Sequence, residues 1–340
     1  MTNHRLAIVV LNWNGADDAI ACIESLRAQT DETPDIILVD NDSHDDSVVV
    51  LEKYIEGSKA TIHFIKNNVN SGFTGGNNVG FIYALQQGYE FIGTLNPDAS
   101  ADASWTTSLI AELTSHEDTG IATGILARGD KKHVDSTGDF YTTWGIPSPR
   151  GRDSLLTDAP KEPEYVFGST GGGFIARADM LREIGLFDEK FFMYFEDVDF
   201  CFRAQLAGYK VRYTPRAIAY HKLSASTNKV PGLAVYNTFK NLPILFTKNV
   251  PLTLWPLIYP RFILTYTLIL VNAIKNGRGG PALKGWGMSW RYILHMFRER
   301  WRIQKSRTVS DDYISSIILH DIPPEQTGMR KFRKLFTGKN

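Results

Sequence analysis

The sequence predicts an α/β fold: a mostly parallel sheet with helices on both faces, followed by a helical C-terminal segment. Three observations predict it. Over residues 1–100, continuous apolar and β-branched runs alternate with stretches of helical spacing, the pattern of parallel strands joined by helices. A polar cluster rich in Asn, Asp and Gly follows each of four strand-like runs. From Asn228 onward the pattern changes to long helices with a different charge.

The elements follow in order. Leu6–Leu11 is a continuous apolar run and reads as a buried strand. Ile20, Ile23 and Leu26 recur at helical spacing; Ile36–Val39 and Thr61–Ile65 read as strands, Val79–Leu85 as a helix and Phe91–Leu95 as a fourth strand. Residues 128–165 lose periodicity and carry Gly, Pro, Asp and Lys, which predicts a long loop or small excursion on the acceptor side of a site. Order returns with a strand entered through glycines, Gly171–Ala176, then helices at Asp179–Ile184 and Phe195–Leu206 and a last strand at Val211–His221. The reading divides the chain into a catalytic domain over 1–228 and a basic helical segment over 229–340.

Composition excludes several classes. The 340 residues are 43% apolar and 22% charged, enough for a sizeable core, so disorder of the whole chain is excluded. Net charge is zero, which argues against a general nucleic-acid binder. The zero conceals a split: residues 240–340 hold 17 Lys/Arg against 5 Asp/Glu, and residues 1–239 hold 20 against 32. A basic segment suits an anionic surface. Between Lys248 and Lys275 the only charge is Arg261, but Pro251, Pro256 and Pro260 break the stretch and leave Phe262–Ile274 as the longest clean run. Since a span needs roughly 20 apolar residues, helices lying on a membrane or packed on the domain are expected before a true span. The run Met329–Phe336 mixes bases with large apolar residues and suits a lipid surface or a solvated tail. The N-terminal apolar run is too short for a signal sequence and no small-residue cleavage site follows, so a cytoplasmic protein is expected. Cys22 and Cys201 sit among apolar neighbours and read as buried thiols.

The polar clusters carry the chemistry. They are Asn12–Gly15, Asp40–Ser43, Asn67–Asn78 and Asn96–Asp98, and in open α/β sheets ligands bind beyond the carboxyl ends of the strands. Turn chemistry alone also places such residues at a strand end. The Asn67–Asn78 segment reads as a loop whose backbone approaches a ligand and offers amides to phosphate. It matches neither G-x-G-x-x-G nor the P-loop, and Asn12–Ala16 has a single glycine, so a dinucleotide-dependent dehydrogenase is disfavoured. Asp98 is either a helix N-cap or, beside Asn96, an oxygen ligand for Mg²⁺ or Mn²⁺. Glu196, Asp197 and Asp199 either complement a helix start or include a carboxylate tuned by apolar surroundings for general-base work. Arg203, at i+4 from Asp199, reads with it as a structural pair. His221 ends the last strand as a structural imidazole, a metal ligand or a diphosphate contact.

Together these motifs resemble the family 2 inverting glycosyltransferases of the GT-A fold, and within them the rhamnosyltransferase-like branch that builds bacterial cell-surface polysaccharides. The resemblance covers about residues 5–245 and rests on VVLNWNG, LVDNDSHDDS, NNVNSGFTGGNNVG, LNPDA, the run from Gly171 to Val211 containing FFMYFEDVDFCFR, and the isolated His221. It implies that Asn12 and Asn14 line the nucleoside pocket, that Asp40 hydrogen-bonds the pyrimidine, and that Asn77 lies near the donor. It implies that Asn96-Pro97-Asp98 stands for the D-x-D motif with Asp98 on the metal, that Asp197 is the catalytic base with Glu196 beside it, and that His221 joins the Mg²⁺ or Mn²⁺ site. Asn96 replaces the first Asp of D-x-D, and the Q-x-x-R-W signature of processive synthases is missing, with Phe297 where Gln would stand before Arg300-Trp301. Single-sugar transfer is therefore expected. By branch resemblance the donor is dTDP-L-rhamnose, with a UDP-sugar (galactofuranose, GlcNAc or glucose) as the alternative, and the acceptor is a lipid-linked or polysaccharide hydroxyl at the inner face of the cytoplasmic membrane. A sugar-nucleotide nucleotidyltransferase is the more distant alternative; it lacks support because Asn12–Ala16 is not a Gly-rich basic loop. The intact acids argue against an inactive scaffold that keeps only the nucleotide pocket.

Overall fold

The computed structural model describes residues 4–58, 61–223 and 230–321. The Met329–Phe336 run lies outside these residues, as does the expected boundary at 228/229. The first half of the chain alternates strand and helix: β1 (Leu6–Asn12), α1 (Ala16–Arg27), β2 (Asp35–Asn41), α2 (Ser47–Gly57), β3 (Ile62–Asn67), α3 (Gly72–Gln87) and β4 (Phe91–Leu95). A short β5 (Ala99–Ala101), α4 (Trp105–Ser115) and the long β6 (Thr119–Arg128) follow. The aperiodic stretch is a small β excursion of β7 (Val134–Ser136), β8 (Asp139–Tyr141), β9 (Pro147–Pro149) and β10 (Glu164–Val166). Then come β11 (Gly173–Arg177), α5 (Ala178–Ile184), α6 (Glu196–Leu206) and β12 (Lys210–His221). The C-terminal segment is α7 (Leu233–Asn249), α8 (Trp255–Lys275), α9 (Gly279–Arg291), α10 (Ile293–Ser306) and α11 (Asp311–Ile317).

The main sheet runs β10-β12-β6-β11-β4-β1-β2-β3. β1 pairs in parallel with β2 and β4, β2 with β3, and β6 with β12, while β11 is antiparallel to both β4 and β6. The strand order reverses at β1, where β2 and β3 lie to one side and β4 to the other, so the crevice between the carboxyl ends of β1 and β4 is the switch point. All seven residues of β1 are buried, because helices cover both faces. One face packs Ile8, Val10, Ile36 and Leu38 against Cys22, Ile23, Trp105 and Leu109 of α1 and α4. The other packs Ala7, Val9, Ile37 and Val39 against Phe81 and Ala84 of α3, Met180 of α5, and Phe200 and Cys201 of α6. Both cysteines are buried and free, as their apolar neighbours predicted.

Two readings are corrected. The Asn67–Asn78 segment is not an open loop: from Gly72 on it is the first half of α3. Its glycines bring helix and sheet close together, since a Cβ at Gly76 would overlap Leu11 and one at Gly80 would meet Val9 at 2.6 Å. Nor does Pro260 break the C-terminal stretch. α8 runs through it, because a proline in the second turn removes one intrahelical hydrogen bond and the face formed by Ile258, Phe262, Thr265 and Tyr266 remains buried. The result is one helical stretch, Leu252–Lys275, long and apolar enough to cross a membrane by length and composition, with most of its residues not buried.

The C-terminal helices share a core with the sheet domain. Phe191, Val198 and Phe202 pack with Phe239, Leu242 and Phe246 of α7, Phe262 and Tyr266 of α8, and Met296 and Ile303 of α10. α7 therefore lies directly against α6, the helix that carries the acidic cluster.

Candidate active site

Residues from both halves of the sheet line a cleft of about 1040 Å³ at the switch point. At the end of β1 it is lined by Asn12, Trp13 and Asn14. Asn12 is held by its amide, which donates to Asp40 Oδ2 (2.8 Å) and to Ser43 Oγ (3.2 Å). Asn12 Oδ1 and Trp13 Nε1 are buried and have no hydrogen-bond partner. Buried polar groups are ordinarily paired, so two unpaired ones in a cleft are groups left for a ligand. Trp13 carried no distinct signal in the sequence beyond its place between two asparagines.

Two expected residues lie elsewhere. Asp40 is 1% exposed and does not line the cleft. Its carboxylate accepts from Asn12, from the Ser43 amide (3.0 Å) and from the Ser43 hydroxyl (2.6 Å), which ties the ends of β1 and β2 together. Asn77 is fully buried within α3, donating to the Phe73 carbonyl (2.9 Å) and accepting from Thr94 Oγ1 (2.9 Å). Its periodic position on α3 turns it toward the sheet, so the expectation of a donor contact is corrected for this residue. Asn14 does line the cleft, with its backbone at φ 54° and its side-chain oxygen accepting from the His44 amide (2.8 Å).

The second wall carries a carboxylate–imidazole cluster. β5 pairs antiparallel with the end of β12, setting His221 opposite Ala99 and therefore next to Asp98. His221 Nε2 lies 3.0 Å from Asp98 Oδ1 and 3.4 Å from the Asn96 amide, and His221 Nδ1 lies 3.0 Å from Asp135 Oδ2. Asp135 in turn holds Arg152 at 3.1 Å. Burial alone would lower the imidazole pKa, but the hydrogen bonds and charges of Asp135 and Asp98 raise it to about 9. The helix N-cap alternative for Asp98 falls away, because α4 begins at Trp105 behind Ser104. Asp135 and Arg152 come from the aperiodic excursion, where no spacing pointed to them.

The third wall is the start of α6. Asp197 Oδ2 accepts from the Gly171 amide (2.7 Å) and Oδ1 from the Val198 amide (2.8 Å). Burial raises the Asp197 pKa and these backbone amides hold it back. Glu196 is pushed well above the usual carboxylate range, first by burial and then by the Asp197 charge, and its Oε2 is buried with no hydrogen-bond partner. Asp199 points the other way, fully buried between Arg203 Nε (2.9 Å) and Lys248 Nζ (2.9 Å), which makes it structural as its i+4 spacing to Arg203 predicted. Just before α6, Phe192, Tyr194 and Phe195 adopt positive φ of 63°, 69° and 69° and line the cleft together with Met193.

The charge of this cleft has a consequence. Asp18, Asp98, Asp135, Asp139, Glu196 and Asp197 line it, against Arg152 and His221. A site so acidic repels a diphosphate unless a cation enters with it. Among the described residues no three His, Cys, Asp or Glu side chains converge as a complete metal site. Asp98 instead offers oxygen ligands suited to Mg²⁺ or Mn²⁺ shared with substrate phosphates, and His221 adds a nitrogen only when a cation displaces the Nε2 proton it shares with Asp98.

A mixed, mostly parallel sheet with a switch-point cleft, an acid at the end of β4 and an acid pair at the start of α6 defines a glycosyltransferase of the GT-A type. The chain belongs to glycosyl transferase family 2, whose model matches residues 7–185; the model for glycosyl transferase family group 2 matches residues 137–242. It is 26% identical over 245 residues to the low-salt glycan biosynthesis hexosyltransferase Agl10 of Haloferax volcanii, covering 69% of this chain and 73% of the relative. It is 22% identical over 253 residues to the dTDP-rhamnosyl transferase RfbF of Shigella flexneri, covering 71% and 80%. Among solved structures the fold is similar to GalNAc-T7 with UDP, GalNAc and Mn²⁺, at a TM-score of 0.60 and 15% identity over 73% of this chain and 48% of that one. The protein is a glycosyltransferase that uses a nucleotide sugar.

Proposed function

We propose that the protein transfers a single sugar, L-rhamnose from dTDP-L-rhamnose, to a hydroxyl of a lipid-linked or polysaccharide acceptor in cell-surface glycan synthesis. The observation that carries the mechanism is the carboxylate of Asp197 on the same cleft that Asp98 and His221 line. Asp197 takes the proton of the acceptor hydroxyl. The oxygen attacks the anomeric carbon as the bond to the diphosphate breaks, the electron pair leaves with the diphosphate oxygen, and the anomeric centre inverts. The transition state is oxocarbenium-like, as in glycoside hydrolysis. A divalent ion bound by Asp98 and His221 would offset the charge of the departing diphosphate. Arg152 adds a fixed positive charge to the same cleft, and Asp135 orients His221 through Nδ1. Asn12 and Trp13 receive the nucleoside with the two polar atoms left unpaired, and Asn14 shapes the same pocket.

The rhamnose donor is favoured by the similarity to the Shigella flexneri enzyme; a UDP-sugar is the alternative. The C-terminal segment, residues 229–340, is assigned to the inner membrane surface. Its helices expose Leu264, Trp286, Trp290, Leu294, Phe297 and Trp301. Lys275, Lys284, Arg291, Arg298, Arg302 and Lys305 lie exposed on the same helices, and Arg278 lies exposed in the turn between α8 and α9. Apolar side chains interleaved with bases suit an anionic interface, at about 1 kcal/mol per base. The protein then works in the cytoplasm, peripherally bound, with no nucleic-acid partner.

A donor panel tests the reading. The protein is incubated with Mn²⁺ or Mg²⁺ and each of dTDP-L-rhamnose, UDP-sugars and GDP-sugars, and nucleoside-diphosphate release and thermal stabilisation are followed. Selective response to dTDP-L-rhamnose is expected. Response to a UDP-sugar keeps the mechanism and changes the donor, whereas no release and no stabilisation with any donor defeats the proposal.

A further inference from the structure

We infer that Asn241 of α7 is a positioning residue for the catalytic base, holding the backbone turn that delivers Glu196 and Asp197 to the cleft. The inference rests on the proposed role of Asp197 as base. The turn that precedes α6 is unfavourable by itself. Phe192, Tyr194 and Phe195 are bulky, yet all three occupy the left-handed region, at φ 63°, 69° and 69°. Such backbone persists only where its surroundings over-determine it, and it gathers at functional sites.

The surroundings here are specific. Asn241 is fully buried, and its single amide nitrogen donates to three carbonyls of the turn: Phe191 (3.0 Å), Met193 (2.8 Å) and Tyr194 (2.8 Å). Lys240, also buried, brings its ammonium to the Phe191 carbonyl at 3.0 Å. On the far side the Thr74 amide of α3 donates to the Phe192 carbonyl at 3.1 Å. A Cβ at Gly72 would overlap that same carbonyl, so α3 begins against the turn with no space between them. The carbonyls of a strained turn cannot join a helix or sheet ladder, and where they face the packed side of the turn they need other donors. Asn241 supplies them at the two residues immediately before Phe195 and Glu196. The Asp197 carboxylate is then fixed by its own amide contacts with Gly171 and Val198. A helix of the C-terminal segment thus holds the turn that presents the acid pair, and its Lys240 charge also acts on Glu196.

The test uses the full chain in three variants, Asn241→Leu, Lys240→Met and Asp197→Asn, with the donor on which the wild-type protein turns over. Donor hydrolysis to water serves as the reaction, because it needs the base and no second substrate. In Asn241→Leu, kcat is expected to fall roughly 10²-fold, the scale of a misplaced catalytic group, with KM for the donor within about 3-fold. Stabilisation by dTDP or UDP with Mn²⁺ should stay at the wild-type level, which separates mispositioning from general damage. A kcat within about 3-fold of wild type, or a loss of donor stabilisation parallel to the loss of rate, overturns the inference. If Asn241→Leu does not melt cooperatively, Lys240→Met is judged by the same criteria. Asp197→Asn separates the two claims. A fully active Asp197→Asn defeats the base assignment whatever Asn241 does; an inactive Asp197→Asn with a normal Asn241→Leu defeats only the positioning role.

Discussion

Asp197→Asn is the most direct perturbation of the proposed mechanism. The substitution keeps shape and removes the charge and the basic oxygen. In the wild type, one carboxylate oxygen accepts from the Gly171 amide and the other from the Val198 amide. The asparagine can satisfy only one of them, because its NH₂ must face the other N–H; the lost charge-assisted bond costs about 1.5–3 kcal/mol. Against that, the variant no longer holds a carboxylate in a site whose burial raises its pKa. The two effects oppose each other, so stability should change far less than activity. General-base catalysis contributes roughly 10²–10⁴ in rate, which at 1.36 kcal/mol per tenfold is about 2.7–5.4 kcal/mol of barrier. Release of nucleoside diphosphate should therefore slow by that factor, while calorimetric titration gives an unchanged donor affinity. Because the base must be ionised, wild-type kcat should rise with pH through an apparent pKa above the usual aspartate value, and this limb should vanish in the variant. A variant within about 3-fold of wild-type kcat, or one whose donor affinity falls as far as its rate, would refute the reasoning.

Three further outcomes follow from the same geometry. Glu196 titrates above the usual carboxylate range when folded, so between the unfolded value near pH ~4.3 and its folded value the native state holds a proton that the unfolded chain has released. Stability from this group is lost as pH rises through that window; Glu196→Gln should therefore raise Tm over wild type little at the acidic end and most above the window, and an equal gain at every pH would count against it. Asp98→Ala removes the carboxylate that His221 contacts at 3.0 Å, and should abolish the extra stabilisation that Mn²⁺ adds to bound dTDP or UDP in a thermal melt. Trp290, Leu294 and Trp301 are 59%, 84% and 65% exposed, so their combined replacement by Ser should release the protein from phosphatidylglycerol vesicles without lowering Tm; sedimentation with vesicles at wild-type levels would show that another surface binds them.

The exposed face of the C-terminal helices also changes how the segment is to be tested. α7, α8 and α10 close a core with Phe191, Val198 and Phe202, so truncation would uncover catalytic-domain side chains as well as remove the membrane face. Point substitutions on the exposed side avoid that loss.

Local pattern determined most of the scaffold. β1, β2 and β4 were legible because strands buried on both faces are continuous apolar runs, and α1, α5 and α6 because one apolar stripe recurs at helical spacing. That Asp98, Glu196, Asp197 and His221 share one cleft was legible for a related reason: acids and imidazole at the ends of buried elements stand out against apolar neighbours. The glycines of Gly72–Gly80 misled, because glycine signals both an open ligand loop and a close helix–sheet contact, and only the packing of Leu11 and Val9 decides between them. β6 and α4 passed unnoticed, and so did Asp135 and Arg152, since the excursion that carries them has no period of its own. Tertiary structure alone decided three things: that Asp40 ties two strand ends behind the cleft, that β5 pairing with β12 brings Asp98 to His221, and that Asn241 reaches the turn before the acid pair from 47 residues away. Each depends on groups distant in the chain, and neither periodicity nor composition carries information about which distant groups meet.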